Sequence, residues 1–581
     1  MAEIVLPFTR ENKVDDHGKG FHNCEFFQTF APPLQEVAEE YPHLFEYLHW
    51  LPIEEVGVPR YYPRLTKKME DIKEPNIIYP LGDGIFAHVM TDDKDTRNHY
   101  IIVEPTLTMD LGNIMSQVES RCIQFGDRLP NFDADGDKKQ QLTNYVEQMT
   151  ALGSQSEEPT STGRRTGLLR KGEPKLTKVR LTERELEGIK YLFIRDKLGL
   201  GDIEPLVSDS YIEDIGCSGV GHLFIEHKIF KGCKSPISFS SLDDLDVFVL
   251  RLAEQIGKPV TYRSPIADAT LPVGARINIV YGRDVSKRGS NFSIRKFSAV
   301  PISIFDLVDF GTLNYQMLGY LSLVIPNGMN LFIAGESASG KTSMLNALTT
   351  FIPPKAKIVT IEDTPELQVP HENWIREVIQ SDKLEDSTGA VTTFDLLKAA
   401  LRQRPNEIIV GEIRGPEGNV AFQAMQTGHA VMSTFHASTM EKLIQRMTAA
   451  PILVPKSYMD NLNVAILMRS IKLPNGGTVR RVTEIDEIVG FDPPTQSFDI
   501  VEAFKLDETT DTFEFTGYMN SHVMEHKIAT MLGIPSRAKR RIYAEIDKRA
   551  RIFAKLHKER GITDFYEVLR VLGQAQQDGL L

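Results

Sequence analysis

The segment GESASGKT, residues 335–342, has the glycine spacing of a phosphate-binding loop. The apolar run NLFIAG leads into it and KTSMLNALTTFI follows, a pattern that predicts a strand, a loop and a helix. A chance match is disfavoured because such a loop needs this strand and this helix around it. The glycines let backbone N–H groups point at phosphate oxygens, and the N-terminus of the following helix favours anions.

We expect Lys341 to reach the β- and γ-phosphates of a bound nucleotide, and Thr342 to hold Mg²⁺. Further contacts are expected from the rest of the loop and from the start of the helix. The predicted nucleotide-binding residues are Gly335, Ser337, Ala338, Ser339, Gly340, Lys341, Thr342 and Ser343.

Two later apolar runs end in acidic residues. Glu362 and Asp363 close the run in AKIVTIED, and Glu412 closes the run in NEIIVGEIR. Carboxylates at the carboxyl ends of parallel strands point into the crevice where ligands bind. One such acid could polarise an attacking water, and Glu412 could help to hold Mg²⁺. The alternatives are a turn or capping role for the first pair and a structural ion pair between Glu412 and Arg414.

A histidine ends a third run, VMSTFHAST, at position 436. A single histidine is more often structural than catalytic. The position of His436 at a strand end, like those of Glu362 and Glu412, favours a functional role, in which it could sense the γ-phosphate by a hydrogen bond.

A cluster of arginines lies upstream of the loop, in VTYRSPIADATLPVGARINIVYGRDVSKRGSNFSIRKFS. Each of these arginines, taken alone, could belong to a solvent-exposed basic face. A phosphate-loop enzyme, however, needs extra positive charge as the γ-phosphoryl group departs. Strand-like runs hold Arg276 and Arg295, and strands position side chains better than loops do. The cluster comprises Arg263, Arg276, Arg283, Arg288 and Arg295.

The elements that position these residues follow from hydrophobic patterning. After Val308, short apolar runs alternate with helical segments, which predicts a parallel sheet covered on both faces. Between about Leu206 and Phe297, short β-type runs surround one helix, which indicates an α+β domain. Thr182 and Glu185 form a capping-box pattern that opens a helix. Residues 153–175 are polar and rich in Gly, Ser, Thr and Pro, as in a linker.

Composition narrows the class of protein. The chain has 581 residues, enough for about three or four domains. Its formal net charge of −13 argues against a chain that coats nucleic acid. No secretion signal is expected, and the best apolar stretch is interrupted by Pro326, Asn327 and Gly328, so any membrane role is expected to be peripheral. The basic tail is either a solvated helix pair or faces an acidic partner or an anionic membrane surface.

Together the motifs resemble a known family. GESASGKTSMLNAL, IEDTPEL, PHENW, GEIRGPE and STFHAS resemble the Walker A, Asp box, following loop, Walker B and His box of the type II/type IV secretion ATPase superfamily. RDKLGLGDIEPLVSDSYIEDIGCSGVG resembles the domain before the motor in its archaeal branch, which includes the archaellum motor and archaeal type IV pilus assembly ATPases. The resemblance covers roughly Leu181 to Pro493.

The resemblance implies an α/β fold with ATP and Mg²⁺ as cofactors. It implies a RecA-like ATPase domain at 306–510, an α+β domain with arginine fingers at 181–305, a variable, partly helical region at 1–180 and a helical region at 511–581. Glu362 would activate water, Glu412 would be the Walker B acid and His436 the coupling histidine. Arg276 and Arg263, then Arg295, are the matches for the fingers.

The function implied is that of a cytoplasmic hexameric motor at the inner face of the membrane. It would act through a polytopic membrane platform protein on an archaeal pilus-like filament, with the archaellum favoured over pilus assembly or protein secretion. No nucleic-acid partner is expected. The alternatives outside this family are a RecA-like nucleic-acid motor and a scaffold that binds ATP without hydrolysing it.

Overall fold

The computed structural model describes residues 3–10, 24, 26–91, 95–126, 133, 136–153, 178–296, 301–379, 391–472 and 478–580. The chain divides into two units, Met1–Phe297 and Ser298–Leu581. Nearly all of the predicted linker at 153–175 lies outside the described residues.

The first unit is built on a sheet of eleven strands, counted over its described residues. Ten of them run in the order β11-β12-β13-β8-β9-β10-β5-β4-β3-β2, and β1 pairs with β10. The strands are β1 (Glu3–Ile4), β2 (Arg60–Tyr61), β3 (Asn76–Gly82), β4 (Ile85–Met90), β5 (Asn98–Val103), β8 (Ile212–Cys217), β9 (Gly221–His227), β10 (Lys231–Phe239), β11 (Ile266–Thr270), β12 (Arg276–Val280) and β13 (Asn291–Arg295), while β6 (Thr150–Leu152) and β7 (Val179–Leu181) form a separate pair.

Apolar residues at helical spacing in DLGNIMSQVESRCIQF and QQLTNYVEQMTAL, and the capping-box pattern, predict three helices of the first unit. A capping box of Thr182 and Glu185 opens α6, as predicted. The segments DLGNIMSQVESRCIQF and QQLTNYVEQMTAL form α4 and α5. The helices are α1 (Pro32–Glu40), α2 (Pro42–Trp50), α3 (Ile53–Val56), α4 (Gly112–Gln124), α5 (Lys138–Met149), α6 (Glu183–Lys197), α7 (Glu204–Ser208) and α8 (Leu242–Gln255).

The large sheet continues across the position where the first predicted domain ends, at residue 180. Strand β10 pairs in parallel with β5, with Cys233 opposite Asn98. Strands β3 to β5 were not predicted from the sequence. Their apolar side chains divide between a core that they share with β8–β13 and one that they share with α1 and α2.

The second unit holds the predicted parallel sheet. Its nine strands, over the described residues, run in the order β16-β15-β17-β18-β14-β19-β20-β21-β22. Pairing is parallel from β16 through β19 and antiparallel from β19 onward. The strands are β14 (Leu331–Gly335), β15 (Ile358–Glu362), β16 (Trp374–Val378), β17 (Glu407–Ile413), β18 (Ala430–Phe435), β19 (Val464–Lys472), β20 (Thr478–Asp492), β21 (Ser497–Asp507) and β22 (Thr512–Glu514).

Apolar side chains cover both faces of this sheet. Ile333 and Ile409 lie in one core cluster, whereas Phe332 and Ile408, their neighbours in the chain, lie in another. Such alternation is what a doubly covered sheet requires, and the predicted α/β fold class is confirmed. The helices are α9 (Ile304–Asp309), α10 (Tyr315–Val324), α11 (Lys341–Leu348), α12 (Thr393–Gln403), α13 (Glu417–Gln426), α14 (Met440–Thr448), α15 (Ala529–Met531), α16 (Ile542–Lys558) and α17 (Phe565–Gln577), with a π-helix at Val523–Ile528.

A buried carboxylate joins the C-terminal helices to the sheet. Glu487 of β20 accepts hydrogen bonds from the Tyr320 hydroxyl at 2.7 Å, the Ser521 hydroxyl at 2.5 Å and the Val523 N–H at 3.0 Å. These donors come from α10 and from the start of the π-helix. The C-terminal helices therefore share a core with the strands rather than forming a separate body.

Candidate nucleotide-binding and hydrolysis site

The phosphate loop connects the buried strand β14 to α11. Gly340 precedes the helix with φ 94°, a left-handed conformation that glycine adopts without steric cost. The Lys341 ammonium donates to the carbonyl oxygens of Gly335 at 3.0 Å and Glu336 at 2.9 Å, so it folds back over the loop. Thr342 and Ser343 are half-buried in the first turn of the helix, and Ser337 and Ala338 are exposed.

The loop is tightly packed at Gly335 and Ser339. A Cβ at Gly335 would lie 2.5 Å from the Ser339 Oγ and 2.5 Å from the Met468 carbonyl oxygen. The Ser339 side chain is 1% exposed, and its hydroxyl has no hydrogen-bond partner among the described residues. Buried hydroxyls without partners are destabilising, and a phosphate oxygen would satisfy this one. The loop therefore fits a bound nucleotide.

Glu362 is the last residue of β15 and is 3% exposed. Its Oε1 accepts the backbone N–H groups of Glu366 and Leu367, each at 2.8 Å. Its Oε2 has no hydrogen bond and lies 3.6 Å from the Nε of Arg376. Burial raises the pKa of Glu362 to about 7, against the opposing effect of the two N–H groups and Arg376. A fixed carboxylate with one unused oxygen and a near-neutral pKa is suited to take a proton from water.

Glu412 forms an ion pair beside Glu362. The Nε of Arg414 donates to Glu412 Oε2 at 2.9 Å, and its Nη1 lies 3.3 Å from Asp363 Oδ2. Burial lowers the pKa of the Lys341 ammonium, and the nearby Glu412 carboxylate opposes this change. The arrangement places a carboxylate within electrostatic range of the loop lysine, where an Mg²⁺ ion shared with Thr342 would be held.

Gly411 of β17 lies beside Glu362 of β15, at ordinary van der Waals distance. A Cβ at this position would lie 3.4 Å from the Cγ of Glu362. The pairing register of β17 with β18 shifts between Val410 and Glu412, as in a β-bulge. Bulges redirect side chains beside active sites, and this one sets the direction of Glu412.

The strand order brings the predicted residues to one edge of the sheet. Strands β15, β17, β18 and β14 are consecutive neighbours and parallel, so their carboxyl ends lie together. His436 directly follows β18, is half-buried, and accepts a hydrogen bond from Arg446 through its carbonyl oxygen. The loop, Glu362, Glu412 and His436 thus share this edge, while their chemical roles stay predictions.

The predicted finger arginines lie in the first unit. Arg276 opens β12 and stands opposite Arg295, the last residue of β13. Their nearest carboxylates are Asp268, 3.7 Å from Arg276, and Asp214, 3.6 Å from Arg295. Arg263 is exposed in the segment between α8 and β11. Arg276 and Arg295 therefore share one edge of a hairpin, and their action on the phosphate loop stays a prediction.

Two arginines were missed in the sequence, one beside Glu362 and one beside the phosphate loop. Arg376 of β16 approaches Glu362, and Arg480 of β20 donates to the Ala338 carbonyl at 3.0 Å. Arg376 follows the PHENW motif closely, but β16 was not predicted. No local pattern marks Arg480, because its position depends on how a distant strand pairs.

Comparison with known proteins agrees with these motifs. Residues 196–468 match the family model described as Type II/IV secretion system protein. An uncharacterized protein of Methanocaldococcus jannaschii is 38% identical over 548 residues, which cover 94% of this chain and 97% of that protein. The type IV secretion system protein PtlH of Bordetella pertussis is 30% identical over 280 residues, which cover 44% of this chain and 82% of PtlH.

Solved structures give more distant matches. The Legionella pneumophila ATPase DotB is 15% identical, with 64% of this chain and 94% of DotB covered and a TM-score of 0.37. The sequence relatives suffice to identify the family: the chain belongs to the type II/IV secretion system proteins, as its motifs predicted. Within the described residues, no helix combines the length and apolarity needed to cross a bilayer.

Proposed function

We propose that this protein is an ATPase that hydrolyses ATP at the edge formed by the phosphate loop, Glu362 and Glu412. The observation that carries the proposal is the unused Oε2 of Glu362, fixed at the end of β15 beside the acid of β17. A scaffold that only binds ATP has no need for a buried carboxylate with a near-neutral pKa at this position.

The proposed reaction uses four side chains. Lys341 leaves the loop carbonyls and pairs with the β- and γ-phosphates, while Thr342 and Glu412 hold Mg²⁺, which when bound neutralises charge on the phosphate oxygens. Glu362 takes a proton from the attacking water as the water oxygen bonds to the γ-phosphorus. The bond from that phosphorus to the bridging oxygen breaks, and ADP and phosphate leave.

We propose further that six copies form a ring and that each copy has an open and a closed state. Bound ATP favours the closed state by the difference in its affinity for the closed and open states. An arginine among Arg276, Arg263 and Arg295, from the same or a neighbouring copy, stabilises the departing phosphoryl group. His436 couples the state of the nucleotide to the neighbouring copy.

The ring would work at the inner face of the membrane on a platform protein of a pilus-like or secretion machine. PtlH is named as a type IV secretion system protein, which supports this class of machine. Among these machines we favour the archaellum, because of the residues of the PHENW motif. Deletion of the gene tests this choice: loss of swimming with surface pili and secretion intact supports the archaellum, and the reverse pattern assigns the motor to pili or secretion.

The primary test is ATP turnover per subunit over a range of protein concentrations, with Lys341→Ala as the blank. We expect turnover per subunit to rise with concentration, because neighbouring copies complete each site, and Lys341→Ala to abolish it. Turnover that is independent of concentration in a monomer contradicts the ring. Tight ATP binding without turnover, with membranes present, supports a scaffold, and turnover stimulated by DNA or RNA supports a nucleic-acid motor.

A further inference from the structure

The side chain of Arg480 lies against the tip of the phosphate loop. Its Nε donates to the Ala338 carbonyl oxygen at 3.0 Å. Ala338 has φ 60°, so the loop turns through a left-handed residue at this contact. The side chain also passes close to Gly340, where a Cβ would lie 3.3 Å from the Cδ of Arg480. The arginine is therefore a neighbour of Ala338 and of Gly340, the residue that precedes the helix.

The neighbouring residue fixes the backbone from which Arg480 projects. The buried Arg481 donates to both carboxylate oxygens of Asp511 at 2.8 Å and to the Phe310 carbonyl at 2.7 Å. Successive side chains of a strand point to opposite faces. Arg481 therefore anchors β20 on one face, and Arg480 extends from the other face toward the loop.

Most of the hydrogen-bonding capacity of Arg480 remains available. Its side chain is exposed, and over the described part of the chain the Ala338 carbonyl is its hydrogen-bond partner. Arg414, by contrast, is already engaged by Glu412 and Asp363. A planar guanidinium with free N–H groups beside a phosphate-binding loop is suited to bind phosphate oxygens.

The strand order determines which part of a nucleotide Arg480 meets. Strands β18, β17 and β15 lie on one side of β14, and β19 and β20 lie on the other. Glu412 and Glu362 belong to the first side, so the γ-phosphate must lie there for hydrolysis to occur. Arg480 belongs to the second side, which leaves it facing the remainder of the nucleotide.

We infer that Arg480 binds the nucleotide at its α-phosphate end, the part that ATP and ADP have in common. The inference rests on the proposed function, because it assumes that the loop binds these nucleotides. Arg480 would thus set affinity for substrate and product alike, in contrast to the acids across the loop, which act on the γ-phosphate.

The test is equilibrium binding of ATP and of ADP, each with Mg²⁺, to the full chain. Loss of a hydrogen bond between charged groups weakens binding by about tenfold or more. We expect Arg480→Ala to weaken ATP and ADP by the same factor, and to raise KM while kcat changes by less than about threefold. Arg480→Lys keeps the charge and should recover part of the affinity. Arg469→Ala is the matched control, since Arg469 is an exposed arginine of β19 that pairs with Glu508 at 3.1 Å.

The outcomes separate this inference from the proposed function. Unchanged affinity of Arg480→Ala for both nucleotides overturns the inference alone. Weakened binding of ATP only overturns it too, because it places Arg480 at the γ-phosphate. If Arg469→Ala weakens nucleotide binding as much as Arg480→Ala does, the effect is a general one of charge, and the inference is contradicted. A wild-type chain that binds neither nucleotide overturns the proposed function together with the inference.

Discussion

Replacement of Glu362 by glutamine should make the protein more stable at high pH and inactive. The buried carboxyl has a pKa of about 7 against an ordinary value of 4.5. The folded chain therefore holds this proton more tightly than the unfolded chain does, and the carboxyl destabilises the fold progressively as pH rises from 4.5 through 7. Above pH 7 the destabilisation amounts to about 3 kcal/mol.

Glutamine removes this ionisation and keeps an oxygen for the N–H groups of Glu366 and Leu367. Glu362→Gln should therefore gain up to about 3 kcal/mol of stability at pH 8 and almost nothing near pH 4.5. ATP turnover should fall by about 10²–10⁴-fold, the usual contribution of a general base. In the wild type, turnover should increase as pH rises through 7, because only the ionised carboxylate accepts a proton.

The assays are thermal unfolding of the nucleotide-free full chain at pH 5 and pH 8, and ATP turnover across the same range. Glu372→Gln is the control, because Glu372 is an exposed glutamate on the same connection between β15 and β16. ATP turnover at the wild-type rate in Glu362→Gln would refute the role of Glu362 as the general base. A stability difference that is the same at both pH values refutes the reasoning about ionisation.

Two further predictions concern the core of the second unit. Glu487→Ala should destabilise the protein by about 3 kcal/mol or more, because it leaves the Tyr320 hydroxyl and its other buried donors unpaired, and a urea midpoint equal to wild type would contradict this. Gly319→Ala should cost about 1–3 kcal/mol, since its Cβ would lie 2.6 Å from the Ile546 carbonyl oxygen. Gly490→Ala, with open space around its Cβ, is the control, and equal thermal shifts in both variants would refute the steric argument.

The site was predictable to the extent that its residues are local in the chain. The loop, Glu362 and Glu412 each terminate or follow a continuous apolar run, and the structure places all of them at strand ends as predicted. Arg480 was not predictable, because it reaches the loop only through the antiparallel pairing of β20 with β19. Contacts made across a sheet by residues far apart in sequence leave no periodic pattern in the chain.

The N-terminal strands show the same limit. The resemblance implied a variable, partly helical region at 1–180, and helical spacing marks the segments of α4 and α5 within it. Strands β3, β4 and β5 pair with one another as antiparallel neighbours, and β5 also pairs with β10, more than 130 residues later in the chain. The pairing of β5 with β10 could not be predicted, because contacts between distant segments leave no periodic pattern in the chain.

The continuous sheet of the first unit also has a mechanical consequence. Six hydrogen-bonded strands lie between β2, at the outer edge, and the hairpin that carries Arg276 and Arg295. At a spacing of about 4.8 Å between strands, the distance from β2 to β13 along the sheet is about 34 Å. Because every strand is hydrogen-bonded to the next, a force applied at β2 is transmitted along the described strands toward the hairpin. A partner that binds the N-terminal edge would therefore be connected to the arginine hairpin through one continuous sheet.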